Sequence, residues 1–215
     1  MLADLDQTVS EQKGFVLNDR VTMLRSLWRT ELQCPEILPY QEGLVNTIKK
    51  ALEAQQDSID DAVSSQNELE YFTNVLYQTE IDQIRYSLTQ YLRVRILKIE
   101  RQLDYIAGDI HSLDQLATHE KNFVTRLNNL SQAFFEDALS SRLSPNCQDM
   151  FSRNEDRYQD SVPDFNAFVF CQALVDVGEL NVGGERYASL SQGDILVVRY
   201  DKIREAIFEG KFQLL

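Results

Sequence analysis

The sequence predicts a mainly helical α+β protein, with an N-terminal helical domain of about four helices, one of them long, and a small C-terminal β-rich domain. Three observations predict this class. Apolar residues recur with the helical period up to about residue 145. After Pro163 they form short runs rich in Val, Ile, Phe and Tyr, as β-strands do. Five of the eight glycines lie after residue 177, where a β-rich module needs turns.

Composition and punctuation divide the chain into four segments. Residues 1–17 are polar with scattered apolar side chains and are expected to form a flexible tail. The helical domain covers 18–145 and ends near Pro145, because proline cannot continue a helix interior. Residues 146–162 are polar and charged, as in a linker, and the β-rich domain covers 163–215.

The helical domain begins at a polar cap and is interrupted once by prolines. Asn18 or Asp19 can cap a first helix that runs to about Leu32. Pro35 and Pro39 then interrupt the helical pattern. Three further helices are predicted over about 41–64, 68–107 and 112–140.

The β-rich domain combines strands with one short helix. Strands are predicted over 167–175 and 195–200, with a shorter one between turns at 182–187 and 191–194. Gly183 and Gly184 are interpreted as a hairpin turn, since β-type runs flank them and no helix follows. A short helix over 201–209 and a last strand over 211–215 complete the domain.

The predicted third helix contains an arginine inside its apolar stripe. At helical spacing one face carries eight apolar side chains, which are Ile81, Ile84, Leu88, Tyr91, Leu92, Ile99, Leu103 and Ile106. Arg95 projects onto the middle of that face. A buried guanidinium is costly unless it is hydrogen-bonded and paired, so we expect an acidic partner, with Glu31 and Glu80 as candidates. Arg95→Ala is expected to destabilise the fold by several kcal/mol, the range for breaking a buried pair.

The same helix has a second apolar patch opposite the first, formed by Tyr86, Val94 and Leu97. A helix that is apolar on two sides is expected to be buried on two sides, within its own domain or against another chain. Trp28 is interpreted as a core aromatic residue, with an interface anchor as the alternative. The basic residues of the helix do not share one face, which argues against a track for a phosphate backbone; they are Arg85, Arg93, Arg95, Lys98 and Arg101.

Charge and cysteine content restrict the function classes. The net charge is −13 and the pI about 4.6, which makes binding of nucleic acid by phosphate neutralisation unfavourable. Residues 51–84 hold eight acids and no Lys or Arg, as in a solvated face or a surface for a basic partner. Three widely spaced cysteines indicate a reducing compartment. The sequence contains no transmembrane run, and its N-terminus does not resemble a secretory signal.

No pattern for catalysis or for a cofactor is found. The two histidines, His111 and His119, lack a second set of ligands at metal spacing. The phosphate-binding, dinucleotide-binding, serine-hydrolase and zinc-protease motifs are absent from the sequence. The sequence therefore predicts a protein that is not an enzyme and uses no cofactor or metal.

Three groups of residues are similar to the motifs of one known family. Residues 28–31 (WRTE) with 35–38 (PEIL) are similar to its W-x-x-E…P-E-L-L opening. Residues 80–100 are similar to its long-helix motif, E-x-x-[RK]-[FY]…Y-[LI]-R-x-R-L-x-K-I, through residues 84–86 and 91–99. The segments 163–170, 198–200 and 210–215 resemble its C-terminal module. The family is that of the Sld-five subunits of the GINS complex, and the likeness runs in order from about residue 20 to the end. Val94 departs from it, since relatives tend to have Cys there.

The resemblance implies a subunit of a heterotetramer with three other GINS subunits, in the nucleus. Such a complex joins the MCM helicase ring and the Cdc-forty-five protein as scaffold and activator of the replicative helicase in chromosomal DNA replication. It is also tied to the leading-strand polymerase. The residues expected at a partner interface or in the supporting core are Trp28, Glu31, Tyr86, Tyr91, Arg93, Val94, Arg95, Leu97 and Lys98.

The N-terminus is similar to a short helix by which some relatives dock on a trimeric replisome hub, although its leading acids are missing. Leu2 and Leu5, with Asp4 between them, could occupy a groove as an amphipathic peptide; a disordered tail is the alternative. A different function is a free-standing nucleic-acid-binding adaptor that uses the β-rich domain. The acidic charge argues against it, and filter binding at low salt distinguishes the two.

Overall fold

The structure is a computed structural model that describes residues 19–62, 68–138, 161–183 and 186–215. The predicted tail at 1–17, and the predicted linker up to residue 160, lie outside the described residues. The fold class predicted from the sequence is confirmed, because helices fill the first part of the chain and a small sheet region forms the last.

Seven helices are described. They are α1 (19–33), α2 (Glu42–Ala62), α3 (Glu68–Arg101), α4 (Leu103–Gly108), α5 (Ile110–Asp114), α6 (Thr118–Ala138) and α7 (Tyr200–Phe208). The predicted third helix is interrupted at Gln102, whose φ of −110° and ψ of 25° are not helical. No Gly or Pro marks this position in the sequence. The Gln102 side chain donates a hydrogen bond of 2.6 Å to the Pro35 carbonyl, a tertiary contact that local propensity does not contain.

Five strands form two antiparallel arrangements. They are β1 (Phe168–Ala173), β2 (Gly178–Gly183), β3 (Arg186–Leu190), β4 (Ile195–Arg199) and β5 (Phe212–Leu214). One sheet has the order β4-β1-β5, with Phe170 opposite Val197 and Cys171 opposite Leu214. β2 and β3 pair with each other, whereas the sequence predicted only one short strand in this region. Gly183, predicted in the turn, is the last residue of β2 and pairs with Arg186; Gly184 lies outside the described residues.

The chain divides into two compact units. The first contains residues up to Leu32 and Gln41–Arg93. Its core consists of apolar side chains from α1, α2 and α3, namely Val21, Leu24, Val45, Ile48, Leu52, Ile59, Ile81, Ile84, Leu88 and Tyr91. All four of the α3 residues in that list belong to the predicted stripe, whereas Leu92 from the same stripe is only half-buried.

The second unit contains Gln33–Tyr40 and Val94–Leu215. One of its apolar clusters lies between helical residues, formed by Ile37, Ile99, Leu103, Ile106, Leu116 and Val124. A second apolar cluster lies between the inner face of the sheet and α7. Cys34 and Leu38 belong to this cluster, and both lie in residues 33–40, which we call the proline-containing segment. This segment therefore packs in both clusters of its unit.

The C-terminus of α7 explains how the chain returns to the sheet. Gly210 has a φ of 72°, which glycine adopts without strain. Its N–H donates to the Ile207 carbonyl at 2.9 Å, and the Lys211 N–H donates to the Ala206 carbonyl at 2.9 Å. These two bonds form a Schellman motif, which ends the helix shortly before β5 begins.

Candidate partner interface

Arg95 is fully buried in the second unit, where its guanidinium donates hydrogen bonds to a carboxylate and to two backbone carbonyls. Its Nε donates to Oε1 of Glu120 at 2.7 Å and its Nη2 to Oε2 at 2.9 Å, which is a bidentate ion pair. Nη1 donates to the Leu38 carbonyl at 2.6 Å, and Nη2 donates to the Gln115 carbonyl at 3.3 Å. The guanidinium also lies 5.3 Å from the ring centroid of Tyr40. Arg95 therefore connects α3, α6 and the proline-containing segment.

One acid that pairs with Arg95, Glu120, was missed in the sequence. Glu80 was wrongly proposed, because it is exposed and lies about four turns earlier on the same helix. Glu31 is buried, and its proposed pairing with Arg95 stays a prediction. Glu120 could have been found from its position, since it is the third residue of α6 and its Oε2 accepts the Ala117 N–H at 2.9 Å. This is the carboxylate half of a capping box, which fixes the side chain.

Two further side chains after Arg95 bind the same proline-containing segment. Lys98 Nζ donates to the Glu36 carbonyl at 2.8 Å, and Gln102 Nε2 donates to the Pro35 carbonyl. A segment that cannot form a helix must satisfy its carbonyl groups elsewhere when it is buried. Lys98 was predicted at an interface or its supporting core, and it holds this internal segment.

A second polar cluster joins that segment to α7. Glu36 is buried, and its carboxylate accepts from Tyr200 Oη at 2.6 Å and from Arg204 Nε and Nη2 at 2.6 and 2.7 Å. The thiol of Cys34 donates to Tyr200 Oη at 3.1 Å. Burial, followed by the charges of Cys34 and Glu36, raises the pKa of Tyr200 far above its ordinary value. The hydroxyl stays protonated, so it can donate to the Glu36 carboxylate.

The motif residues therefore stabilise the architecture of the second unit. Glu36, Arg95, Lys98 and Tyr200 all belong to the segments that resembled a known family, and all four bind within this unit. Glu36 and Tyr200 were not among the predicted site residues. In the sequence, Glu36 is a carboxylate next to a proline in one apolar segment, and Tyr200 is a tyrosine in another. Neither pattern indicates that the two side chains are in contact.

In the first unit, the predicted residues divide between core and surface. Tyr91 and Glu31 are buried. The rings of Trp28 and Tyr86 meet edge to face with centroids 6.3 Å apart, and Trp28 is half-buried while Tyr86 is 59% exposed. Arg93 is exposed.

In the second unit, Val94 is half-buried and Leu97 is exposed. The side of α3 opposite its buried stripe thus carries apolar side chains that are exposed or half-buried among the described residues, whereas the two-sided pattern predicted burial on both sides. That these side chains contact another protein stays a prediction.

A larger apolar surface lies on the outer face of the three-stranded sheet. Phe168 and Phe170 of β1 stand beside Ile195 and Val197 of β4, and all four are 50–71% exposed. The inner face alternates with them and is buried, as Val169 and Cys171 show. Proteins that stay monomeric rarely expose a continuous apolar surface of this kind, so it indicates an interaction site.

α6 presents a third exposed apolar row. Phe123, Leu130 and Phe134 are exposed and follow helical spacing along one side of the helix. Val124, on another side, is buried in the cluster with Ile99. These three exposed residues, the outer sheet face and the outward residues of α3 are the candidate partner surfaces.

The described ranges carry neither of two features typical of other functional classes. No group of three or more His, Cys, Asp or Glu side chains that could hold a metal ion occurs there. None of the described helices combines the length and hydrophobicity needed to span a bilayer.

Known proteins resemble this chain along most of its length. The family model described as the GINS complex protein helical bundle domain matches residues 45–139, and the one described as the DNA replication complex GINS protein SLD5 C-terminus matches residues 163–215. Among curated relatives named DNA replication complex GINS protein SLD5, that of Arabidopsis thaliana is 30% identical over 91% of this chain and 90% of its own length. That of Schizosaccharomyces pombe is 26% identical over 99% of both, and the Homo sapiens protein is 20% identical over 96% and 93%.

Proposed function

Because the chain belongs to the SLD5 family of DNA replication complex GINS proteins, we propose that it is a non-catalytic structural subunit of a GINS complex. In this proposal it assembles with the three other GINS subunits into a heterotetramer and acts in the nucleus in DNA replication. The observation that carries the proposal is the family match along nearly the whole chain, together with exposed apolar surfaces that a solitary chain would leave in water.

The division between internal and outward residues supports a structural role. The polar network around Arg95 and Glu36 is satisfied within the second unit and orders the segment 33–40 against α6 and α7. The outer sheet face and the exposed side of α6 belong to the same unit as this network. An apolar face on regular secondary structure needs little ordering when it binds, which favours a stable interface.

A finer part of the proposal concerns the larger assembly. The complex would join the MCM ring and the Cdc-forty-five protein as scaffold and activator of the replicative helicase, and it would be tied to the leading-strand polymerase. The net charge of −13 supports contact with proteins in preference to direct strong binding of DNA. The N-terminal residues Leu2, Asp4 and Leu5 would dock on the trimeric replisome hub; they lie outside the described residues. A peptide of residues 1–18 that failed to bind the hub would remove that part.

The proposal is tested by co-expression. The chain carries an affinity tag and is produced together with the three other GINS subunits of the same organism. We expect all four proteins to co-purify and to elute as one complex in gel filtration. A chain that remains monomeric and soluble, and never enters the complex, would contradict the proposal. Filter binding with DNA at low salt serves as the comparison, and tight binding by the isolated chain would favour the nucleic-acid adaptor.

A further inference from the structure

The first turns of α3 expose an apolar surface of their own. Tyr71, Phe72, Val75 and Leu76 are 44–72% exposed. Spacings of one, four and five residues place them on one side of the helix. We call these four residues the α3 patch. At roughly 180 Å² per large apolar side chain they expose about 400 Å², around half of what one partner contributes to an interface of standard size.

Exposed acidic side chains lie on the helix next to the one that carries the α3 patch. α2 and α3 lie side by side, since Gln56 Nε2 donates to Gln78 Oε1 at 3.1 Å, and five residues separate the two helices in sequence. This is the arrangement of an αα-hairpin. The end of α2 therefore runs beside the start of α3, and it carries exposed Asp57, Asp60 and Asp61.

No Lys or Arg stands among these acids in sequence, although Asp57 lines a groove with Lys49 and Arg85. From residue 51 to residue 84 the sequence has eight acids and no Lys or Arg. Among the described residues of the first unit no ion pair includes Asp60 or Asp61, and Asp60 Oδ1 accepts one hydrogen bond, of 3.1 Å, from the neutral amide of Gln56. An apolar surface inside a negative field selects its partner by charge as well as by shape.

The negative charge beside the α3 patch disfavours two kinds of binding partner and favours a third. A second copy of this chain would bring the same acids to the contact, and like charges across an interface are unfavourable. A nucleic acid would be repelled for the same reason. An amphipathic helix with lysine and arginine beside its apolar face can pack against the α3 patch and pair with the acids.

We propose that the α3 patch binds such a basic amphipathic helix of one of the three other subunits of the complex. This rests on the proposed function for the identity of the assembly. Phe72 and Leu76 would contact the apolar face of the partner helix, and the acids at the end of α2 would pair with its cations. The contact would fix the register of the partner through charge, while the apolar side chains supply most of the buried area.

A competition for assembly tests the charge requirement. Wild-type chain and the variant Asp60→Lys/Asp61→Lys carry different tags and are co-expressed with the three other subunits. The amount of the variant in the purified complex should be at least about 10-fold lower than that of wild type. High salt should bring the two amounts closer together, because it screens the charges. The matched control is Glu100→Lys/Glu205→Lys, which reverses two exposed acids far from the patch in sequence and should enter within about 2-fold of wild type. Circular dichroism checks that both variants fold.

The outcomes separate the two proposals. If wild type itself does not enter the complex, the proposed function fails. If wild type enters and Asp60→Lys/Asp61→Lys enters equally well, the charge requirement is wrong while the proposed function stands. A photo-crosslinking residue in place of Phe72 gives the second measurement on the purified complex. Cross-linking to a helix rich in Lys and Arg supports the inference; cross-linking to another copy of this chain, to an acidic segment, or to nothing overturns it.

Discussion

Removal of the Arg95 side chain is the perturbation that the structure defines most sharply. Arg95→Ala leaves the Glu120 carboxylate buried without its cation, and it leaves the Leu38 and Gln115 carbonyls without their guanidinium donors. Loss of one member of a buried ion pair costs about 3–5 kcal/mol, because the remaining charge is not compensated. The same variant also creates a cavity in a fully buried site. For a chain of this size, about 3–5 kcal/mol corresponds to a fall in Tm of about 6–20 °C.

The assay is thermal and urea unfolding of wild type, Arg95→Ala and Arg93→Ala. Arg93 is exposed on the same helix and has the same helix propensity, so it is the matched control and should change the free energy of unfolding by less than about 0.5 kcal/mol. A double variant that also carries Glu120→Ala should cost less than the sum of the two single changes, since the pair is coupled. Equal unfolding of Arg95→Ala and Arg93→Ala would refute the reasoning.

Three further predictions concern the same unit. Tyr200→Phe removes a hydrogen bond to a buried carboxylate and should lower the free energy of unfolding by about 1.5–3 kcal/mol, measured by urea unfolding; an unchanged midpoint would contradict it. The Ser112 hydroxyl lowers the pKa of Asp109 from its ordinary 3.8, so the charged cap stabilises α5 above that pH and loses its effect as the pH falls through the lowered value. Asp109→Ala should therefore cost about 1 kcal/mol at pH 7 and less below about pH 3.8, and a difference that stays constant across pH would oppose this. Cys34 and Cys171 are buried, and burial raises the pKa of Cys171 to about 11, so both should resist alkylation at pH 8 until the chain unfolds; mass spectrometry of the labelled peptides would reveal early modification.

The sequence predicts well what depends on periodicity. The buried side of α3 was predicted from spacing alone, and Arg95 within it is indeed buried and paired. The switch from helices to strands after Pro163 is likewise local, because alternation and turn residues lie close together in sequence. The interruption at Gln102 was not predictable, since its partner is a carbonyl 67 residues away.

The acid partner shows where sequence reasoning fails and why. Glu80 was wrong as a candidate, because it lies on the same helix as Arg95 and a side chain pairs along a helix only within about four residues. Glu120 is 25 residues away, and it meets Arg95 only after the chain has turned through α4 and α5. The cluster of Glu36, Tyr200 and Arg204 joins residues more than 160 positions apart, so its members could be recognised as unusual singly but not as a set.

We propose that three other GINS subunits complete this chain, and the mass of the assembled complex tests that proposal most directly. Native mass spectrometry of the co-expressed and purified material should give one mass equal to the sum of four different chains, this chain contributing 24.9 kDa once. A dominant species of this chain alone, or of several copies of it without the other three proteins, would contradict the account.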